Sequence, residues 1–93
     1  MAISTFGGSY KNLTATGAVT TFGGNLIGFY VNSTSSGTLV LKDGGASGTA
    51  ITGTITPAVG WHFLPATFGS GGLHATIGST LDVTFIYAPG AGV

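Results

Sequence analysis

Only four of the 93 residues carry a charged side chain, two basic and two acidic, and this scarcity limits the available folds more than any other feature. A typical soluble domain carries about 25% charged residues. Arg, Glu and Gln are absent, while Gly, Ser and Thr, which favour turns and strands over helix, are frequent. The composition therefore predicts an all-β protein.

The length predicts a single domain over residues 1–93, because chains divide into separate cores only at roughly twice this size or more. A domain this small buries only about 60–65% of the surface that its unfolded chain exposes, so its margin of stability is small. The chain has no cysteine for a disulfide and few charges to protect exposed sheet edges. We therefore expect a homo-oligomer or a subunit bound to a lattice.

Short apolar runs separated by turn residues fill the chain after its first few residues. Their spacing predicts about eight short strands in an antiparallel β-sandwich or jelly roll, with a small barrel left open. We expect strands at 10–16, 18–22, 25–32, 38–42, 49–56, 60–68, 73–77 and 80–88. Segment 33–37 is predicted to be a turn, and Gly78-Ser79 is predicted to join the last two strands in a hairpin.

Alternation of residue types predicts which side chains face the core. Leu39 and Leu41 are expected on one face, with Val40 on the other. In the last strand, the residues expected to share one face are Leu81, Val83, Phe85 and Tyr87, and those expected on the other are Asp82, Thr84 and Ile86. Strand 25–32 is apolar on both phases, which predicts cover on both faces, by the core on one and by a neighbouring chain on the other. Pro65 predicts an edge or a bulge in strand 60–68.

The two ends of the chain are expected to differ from the domain between them. Residues 1–9 are interpreted as an extended arm in which Phe6 is an anchor, and residues 89–93 as a loose tail. Together with the arm, aromatic residues of the predicted strands are the candidates for contact with other chains. The candidate interface residues are Phe6, Tyr10, Phe29, Trp61 and Phe63.

Charge and hydropathy argue against several functions. Two lysines cannot neutralise a row of phosphates, so neither nucleic acid nor an anionic membrane surface is an expected partner. The longest nearly continuous apolar stretch, 26–31, is far shorter than the ~20 residues that span a bilayer. The first ten residues lack the pattern of a signal peptide, which predicts a protein made and used without export, and the absence of cysteine fits a reducing cytosol.

The sequence predicts no enzyme, metal site or cofactor. No motif places a serine nucleophile, and the only histidines, His62 and His74, show no ligand spacing with the two aspartates. The glycine pairs precede no phosphate-binding Lys and helix, and are interpreted as turns. Trp61, Phe63 and Phe68 could form a platform for a sugar ring, but packing in the core or an interface is the favoured interpretation.

Three phrases between Gly37 and Ala88 resemble small virion proteins of tailed bacteriophages: GTLVLKDG, ITGTITP and IGSTLDVTFIYA. The resemblance spans a little over half of the chain and brings no catalytic residues with it. It implies a β-sandwich decoration or cement subunit, trimeric or otherwise clustered, that binds the major capsid protein on the capsid surface and is made in the host cytoplasm.

Two other functions remain open. One is a tail or fibre component of the same kind of particle. The other is a glycan-binding module that uses Trp61, Phe63 and the neighbouring His62.

Overall fold

The computed structural model describes residues 9–89, which form six β-strands and, within that range, no helix. The strands are β1 Ser9–Leu13, β2 Gly17–Ala18, β3 Gly24–Asp43, β4 Thr49–Ala50, β5 Gly60–Phe68 and β6 Leu73–Pro89. The all-β prediction is confirmed. Phe6, with the rest of the predicted arm up to Gly8, and the tail from Gly90 onward lie outside the described residues.

Two long strands form the centre of one antiparallel sheet. Strands β3 and β6 pair along their full lengths, from Gly24 opposite Pro89 to Asp43 opposite Leu73. Strands β1 and β2 pair with successive parts of β6, and β5 and β4 pair with successive parts of β3. Each end of the long β3–β6 ladder is therefore flanked by a short strand on either side.

The long strands are bent. A straight strand of the length of β3 would extend over roughly 65 Å, whereas the longest dimension of the molecule is 42 Å. The β3–β6 register shifts at three places, and near the middle the backbones of Ser36 and Ser79 have positive φ, 55° and 58°. Gly37 lies in the same bend, where a Cβ would be 2.7 Å from the Cβ of Leu81. Glycine is required there because the two strands approach so closely.

Both halves of the bent sheet contribute to a single core. Alternate residues of each long strand point inward, and the expected alternation around Leu39 and Leu41 is confirmed by their complete burial. The fully or nearly fully buried core residues are Val19, Leu26, Phe29, Val31, Leu39, Leu41, Phe68, Leu73, Ala75, Leu81, Val83 and Phe85.

The predicted turn at 33–37 and the predicted hairpin at Gly78-Ser79 are both wrong. Both segments lie inside long strands, because Thr34 and Ser35 pair with Leu81 and Thr80. Their serines and glycines bend the ladder and do not end it. The structure therefore has six strands in residues 9–89 where about eight were expected.

The predicted strand at 49–56 is shorter than expected. Only Thr49–Ala50 is a regular strand, but the chain continues along β3 through a bridge between Ile55 and Leu39. Pro65 lies where it was predicted, because β5 is an outer strand whose register with β3 shifts between Phe63 and Ala66.

Two charged side chains hold the loops at one end of the sheet. A carboxylate oxygen of Asp43 accepts a hydrogen bond of 2.9 Å from the backbone N–H of Gly69, and Lys42 donates to the carbonyl of Ala46 at 3.1 Å. The N–H of Gly44 donates to the carbonyl of Gly72 at 2.9 Å. The loops after β3 and after β5 are thereby joined.

Candidate aromatic contact surface

One outward surface of the sheet carries most of the exposed aromatic side chains. The β-sheet register places Tyr10, Ile86, Gly28 and Phe63 in one row across β1, β6, β3 and β5. The next row along the strands contains Asn12, Thr84, Tyr30 and Trp61. Side chains in neighbouring paired positions share a face. We call the surface formed by Tyr10, Tyr30, Trp61, Phe63 and Ile86 the aromatic face.

The aromatic face is unusually open for such large side chains. Tyr10 is 74% exposed, Phe63 70%, Trp61 47% and Tyr30 46%. At about 200 Å² per aromatic side chain, these fractions leave roughly 500 Å² of aromatic surface in contact with solvent. The largest apolar patch on a typical monomer is about 300–600 Å², so these four side chains alone reach the upper part of that range.

Gly28 gives the aromatic face its flat centre. A Cβ at this position would lie 2.7 Å from Cζ2 and from Cη2 of Trp61, and it would also collide with the carbonyl oxygen of His62. The six-membered ring of Trp61 therefore lies directly on the backbone of β3. Any larger residue at position 28 would push the indole away from the sheet.

A hydrogen-bonded polar cluster borders the aromatic face. The side-chain amide of Asn12 donates to Oδ1 of Asp82 at 2.7 Å and to Oγ1 of Thr84 at 3.1 Å. The amide of Asn32 donates to the same two oxygens, each at 3.1 Å. The cluster holds three neighbouring strands in register at the surface and fixes the direction of its polar groups.

The candidate interface residues have different positions in the structure. Tyr10, Trp61 and Phe63 belong to the aromatic face, whereas Phe29 is only 2% exposed and packs in the core against Phe85. Phe29 is therefore not available for contact with another chain. Phe6 lies outside the described residues.

The structure separates the residues that the sequence suggested as a platform for a sugar ring. Phe68 is buried in the core and does not accompany Trp61 and Phe63. His62 also belongs to the opposite face of β5, where its ring stacks on Phe29 with centroids 5.0 Å apart and its Nε2 is 2.7 Å from the carbonyl oxygen of Ala58.

Sequence reasoning missed the contribution of Tyr30, Ile86 and Gly28 to this surface. A signal was present for Ile86, which alternation had placed on the face opposite to Phe85. Strand 25–32 was expected to have one face covered by the core and the other by a neighbouring chain, and Tyr30, with nearly half of its side chain exposed, lies on the face that the core does not cover. The role of Gly28 depends on the register between β3 and β5, which no local pattern contains.

The histidines and carboxylates of residues 9–89 lie apart from one another and from the aromatic face, except for Asp82 at its border. Among residues 9–89, no group of three or more His, Cys, Asp or Glu side chains could hold a metal ion. His74 lies away from the aromatic face, opposite Lys42 and Ala18, and its Nε2 is buried without a hydrogen-bond partner. The described residues contain no helix long and apolar enough to cross a membrane.

Comparison with known proteins found no matching family model, no matching curated protein and no matching solved structure. The class of protein is therefore defined by its own geometry. It is a small antiparallel all-β protein that presents a nearly uncharged aromatic surface bordered by fixed amide and carboxylate groups.

Proposed function

We propose that this chain is a non-enzymatic structural subunit of a virion, a decoration or cement protein that binds the major capsid shell through its aromatic face. The observation that carries the proposal is the exposure of Tyr10, Tyr30, Trp61 and Phe63 on one surface. A stable protein interface buries about 800 Å² on each partner, and its buried centre is rich in Tyr, Trp and Phe. Roughly 500 Å² of aromatic surface would supply most of such a centre.

The fold that we propose is a β-sandwich of the jelly-roll kind. The bend near Ser36 and Ser79 divides the sheet into two halves, and residues from both halves, such as Phe85 and Leu41, pack in one core. Folding the inner face of one half over the other would account for this shared core. In this arrangement the aromatic face is the outer surface of one layer.

The proposed attachment depends on apolar contact and little on charge. Asp82 is the one charged residue at the border of the aromatic face, and its carboxylate accepts hydrogen bonds from two amides of the same chain. Salt screens charge pairs but does not weaken apolar burial. We therefore expect the protein to remain on particles when the ionic strength is raised to about 1 M.

Cryo-electron microscopy of the particle that co-purifies with the chain tests the assignment. Density for the domain on the outer surface of the capsid, with Tyr30 and Trp61 facing the shell, is the expected result. Density in the tail or in a fibre would assign the chain to another part of the virion and contradict the capsid proposal.

A matched pair of variants tests the surface itself. Tyr30→Lys places a charge in the centre of the aromatic face and should abolish attachment to particles stripped of the protein. Thr54→Lys adds the same charge at an exposed position outside the strands and should leave attachment intact. Equal attachment of both variants would exclude the aromatic face as the contact surface.

A glycan-binding module is the second candidate function. The specific observation in its favour is that the polar cluster of Asn12, Asn32 and Asp82 borders the same face that carries the indole of Trp61, since sugars combine an apolar ring face with hydroxyl groups. Binding on a glycan array that is lost in Trp61→Ala but kept in Phe22→Ala would support this candidate. Phe22 is equally exposed but packs near Tyr87, outside the aromatic face.

A further inference from the structure

We infer that two copies of this chain pair through the outer edges of their β5 strands, in antiparallel register around a twofold axis at His62, so that Trp61 of each copy lies opposite Phe63 of the other. This inference goes beyond the proposed attachment to a shell. It concerns the strand edge, whereas the attachment concerns the aromatic face.

Strand β5 has one paired side and one open side. It pairs with β3 from Gly24 opposite Phe68 to Val31 opposite Gly60, and no other strand of residues 9–89 pairs with it. An open edge presents unpaired N–H and C=O groups, which can be satisfied by another strand. Natural proteins protect such edges with short strands, charged side chains, proline or bulges.

The two outer strands at this end of the sheet are protected to different degrees. Strand β1 is five residues long and carries Lys11, whereas β5 is nine residues long and carries no charged residue. The protection of β5 is limited to its second half, where Leu64 and Pro65 form the bulge between Phe63 and Ala66. The regular part from Gly60 to Phe63 has no charged residue, proline or bulge that would prevent pairing with another strand.

Backbone direction selects the register of the pairing. The carbonyl oxygen of His62 is directed towards β3, where it would meet a Cβ on Gly28. Because hydrogen-bonding direction alternates along an antiparallel strand, the N–H and C=O groups of Trp61 and Phe63 point to the open edge. With a twofold axis at His62, the N–H and C=O groups of Trp61 lie opposite those of Phe63 in the second copy. Each of the two Trp61–Phe63 pairs then forms two backbone hydrogen bonds, four in total.

Side chains favour a second copy as the partner in this register. Trp61 and Phe63 share the outward face of β5, so each would form a cross-strand aromatic pair with the other residue of the partner copy. No Asp, Glu, Lys or Arg side chain meets its like across the axis, because β5 contains none of these residues. Moving the axis by one residue, to Phe63, would bring Pro65 opposite Trp61 and place the bulge inside the pairing.

Sedimentation analysis of the full chain tests the pairing. We expect the wild-type chain to be a dimer in the micromolar range, and Phe63→Lys to raise the dissociation constant by about 100-fold or more, because each dimer contains the change twice. Tyr10→Lys is the matched control, since Tyr10 is as exposed as Phe63 and lies on the same face but on the opposite edge. It should leave the dimer intact.

Each other outcome of that measurement overturns the inference. A wild-type monomer would show that the open edge does not pair, and a trimer would require a contact without twofold symmetry. Loss of the dimer in both variants would indicate stacking of whole aromatic faces. Circular dichroism spectra of both variants must match the wild type, and the result does not depend on whether the protein binds a shell.

A cross-linking experiment tests the register, because the chain has no cysteine of its own. His62 would face itself across the axis in a pair without hydrogen bonds, with Cα atoms about 4.5 Å apart, which suits a disulfide. His62→Cys should therefore form a covalent dimer rapidly on oxidation. Thr67→Cys, on the same strand but beyond the bulge, should not. Equal cross-linking of both variants would refute the register.

Discussion

Replacing Gly28 with alanine tests the close contact between Trp61 and the sheet. The added Cβ would lie 2.7 Å from two ring carbons of Trp61, about 1 Å inside the normal contact distance of 3.5–4.0 Å. The indole can move away, but the carbonyl oxygen of His62 belongs to the adjacent strand and can move only if β3 and β5 separate. The substitution should therefore disturb the ladder as well as the surface.

The expected loss of stability follows from two opposing contributions. Overpacking of this kind costs typically 1–3 kcal/mol. Alanine also restricts the unfolded chain, which returns about 0.4–1 kcal/mol. We expect the free energy of unfolding to fall by about 1–2 kcal/mol, which lowers the Tm of a domain this size by roughly 5–15 °C.

Thermal unfolding followed by circular dichroism measures the change in Tm, and fluorescence reports the surface, because Trp61 is the sole tryptophan. A shift of its emission to longer wavelength is expected in Gly28→Ala as the indole leaves the sheet. Gly53→Ala is the control, since Gly53 is exposed and a Cβ there would meet nothing within 4 Å. If both variants had the same Tm and emission as the wild type, the close contact at Gly28 would be refuted.

Three further changes test the core, a buried histidine and the polar cluster. Phe85→Ala should lower the free energy of unfolding in urea by about 3–5 kcal/mol, because Phe85 is fully buried, and a loss below 1 kcal/mol would contradict its position in the core. His74→Phe should raise the Tm, because it removes a buried nitrogen that has no hydrogen-bond partner and whose burial costs about 1 kcal/mol of stability. A lower Tm would indicate an unrecognised partner for that nitrogen. Asp82→Ala should cost about 1 kcal/mol or less and should speed amide exchange in β1, because the amides of Asn12 and Asn32 lose their shared acceptor; unchanged exchange would show that the cluster does not hold β1.

The fold class and the inward-facing residues of the strands could be predicted from the sequence. Composition disfavoured helix, and alternation correctly predicted that Leu81, Val83 and Phe85 share the buried face of β6. These predictions succeed because they depend on a two-residue period that is local to each strand.

The lengths of the strands could not be predicted in the same way. Ser33–Gly37 and Gly78-Ser79 have the composition of turns, but each continues a strand because the opposite strand bends at the same place. The backbone does change direction at these positions, because Ser36 and Ser79 have positive φ. Whether this change produces a turn or a bend is decided by tertiary pairing, which a single sequence does not contain.

The aromatic face was only partly predictable for the same reason. Tyr10, Trp61 and Phe63 were recognised as candidates for contact, but they come from strands that β6 and β3 separate in the sheet. Their grouping, and the inclusion of Tyr30, depends on the register of four strands. Phe29 was wrongly assigned for the same reason. Its position in an aromatic segment suggested an interface, but the register places its side chain in the core.

The positions of the four charged residues connect the composition to the proposed assembly. Lys42 and Asp43 hold loops, and Asp82 holds the polar cluster, so Lys11 on β1 is the one charge placed on an outer strand of residues 9–89. A solitary molecule would have to remain soluble with roughly 500 Å² of aromatic surface and with the open first half of the β5 edge in contact with water. Covering the edge with a second copy and the face with a shell removes both hazards without any additional charge. If the wild-type chain and a variant with a lysine on β5 proved equally soluble and equally monomeric, the scarcity of charge would have no connection with assembly.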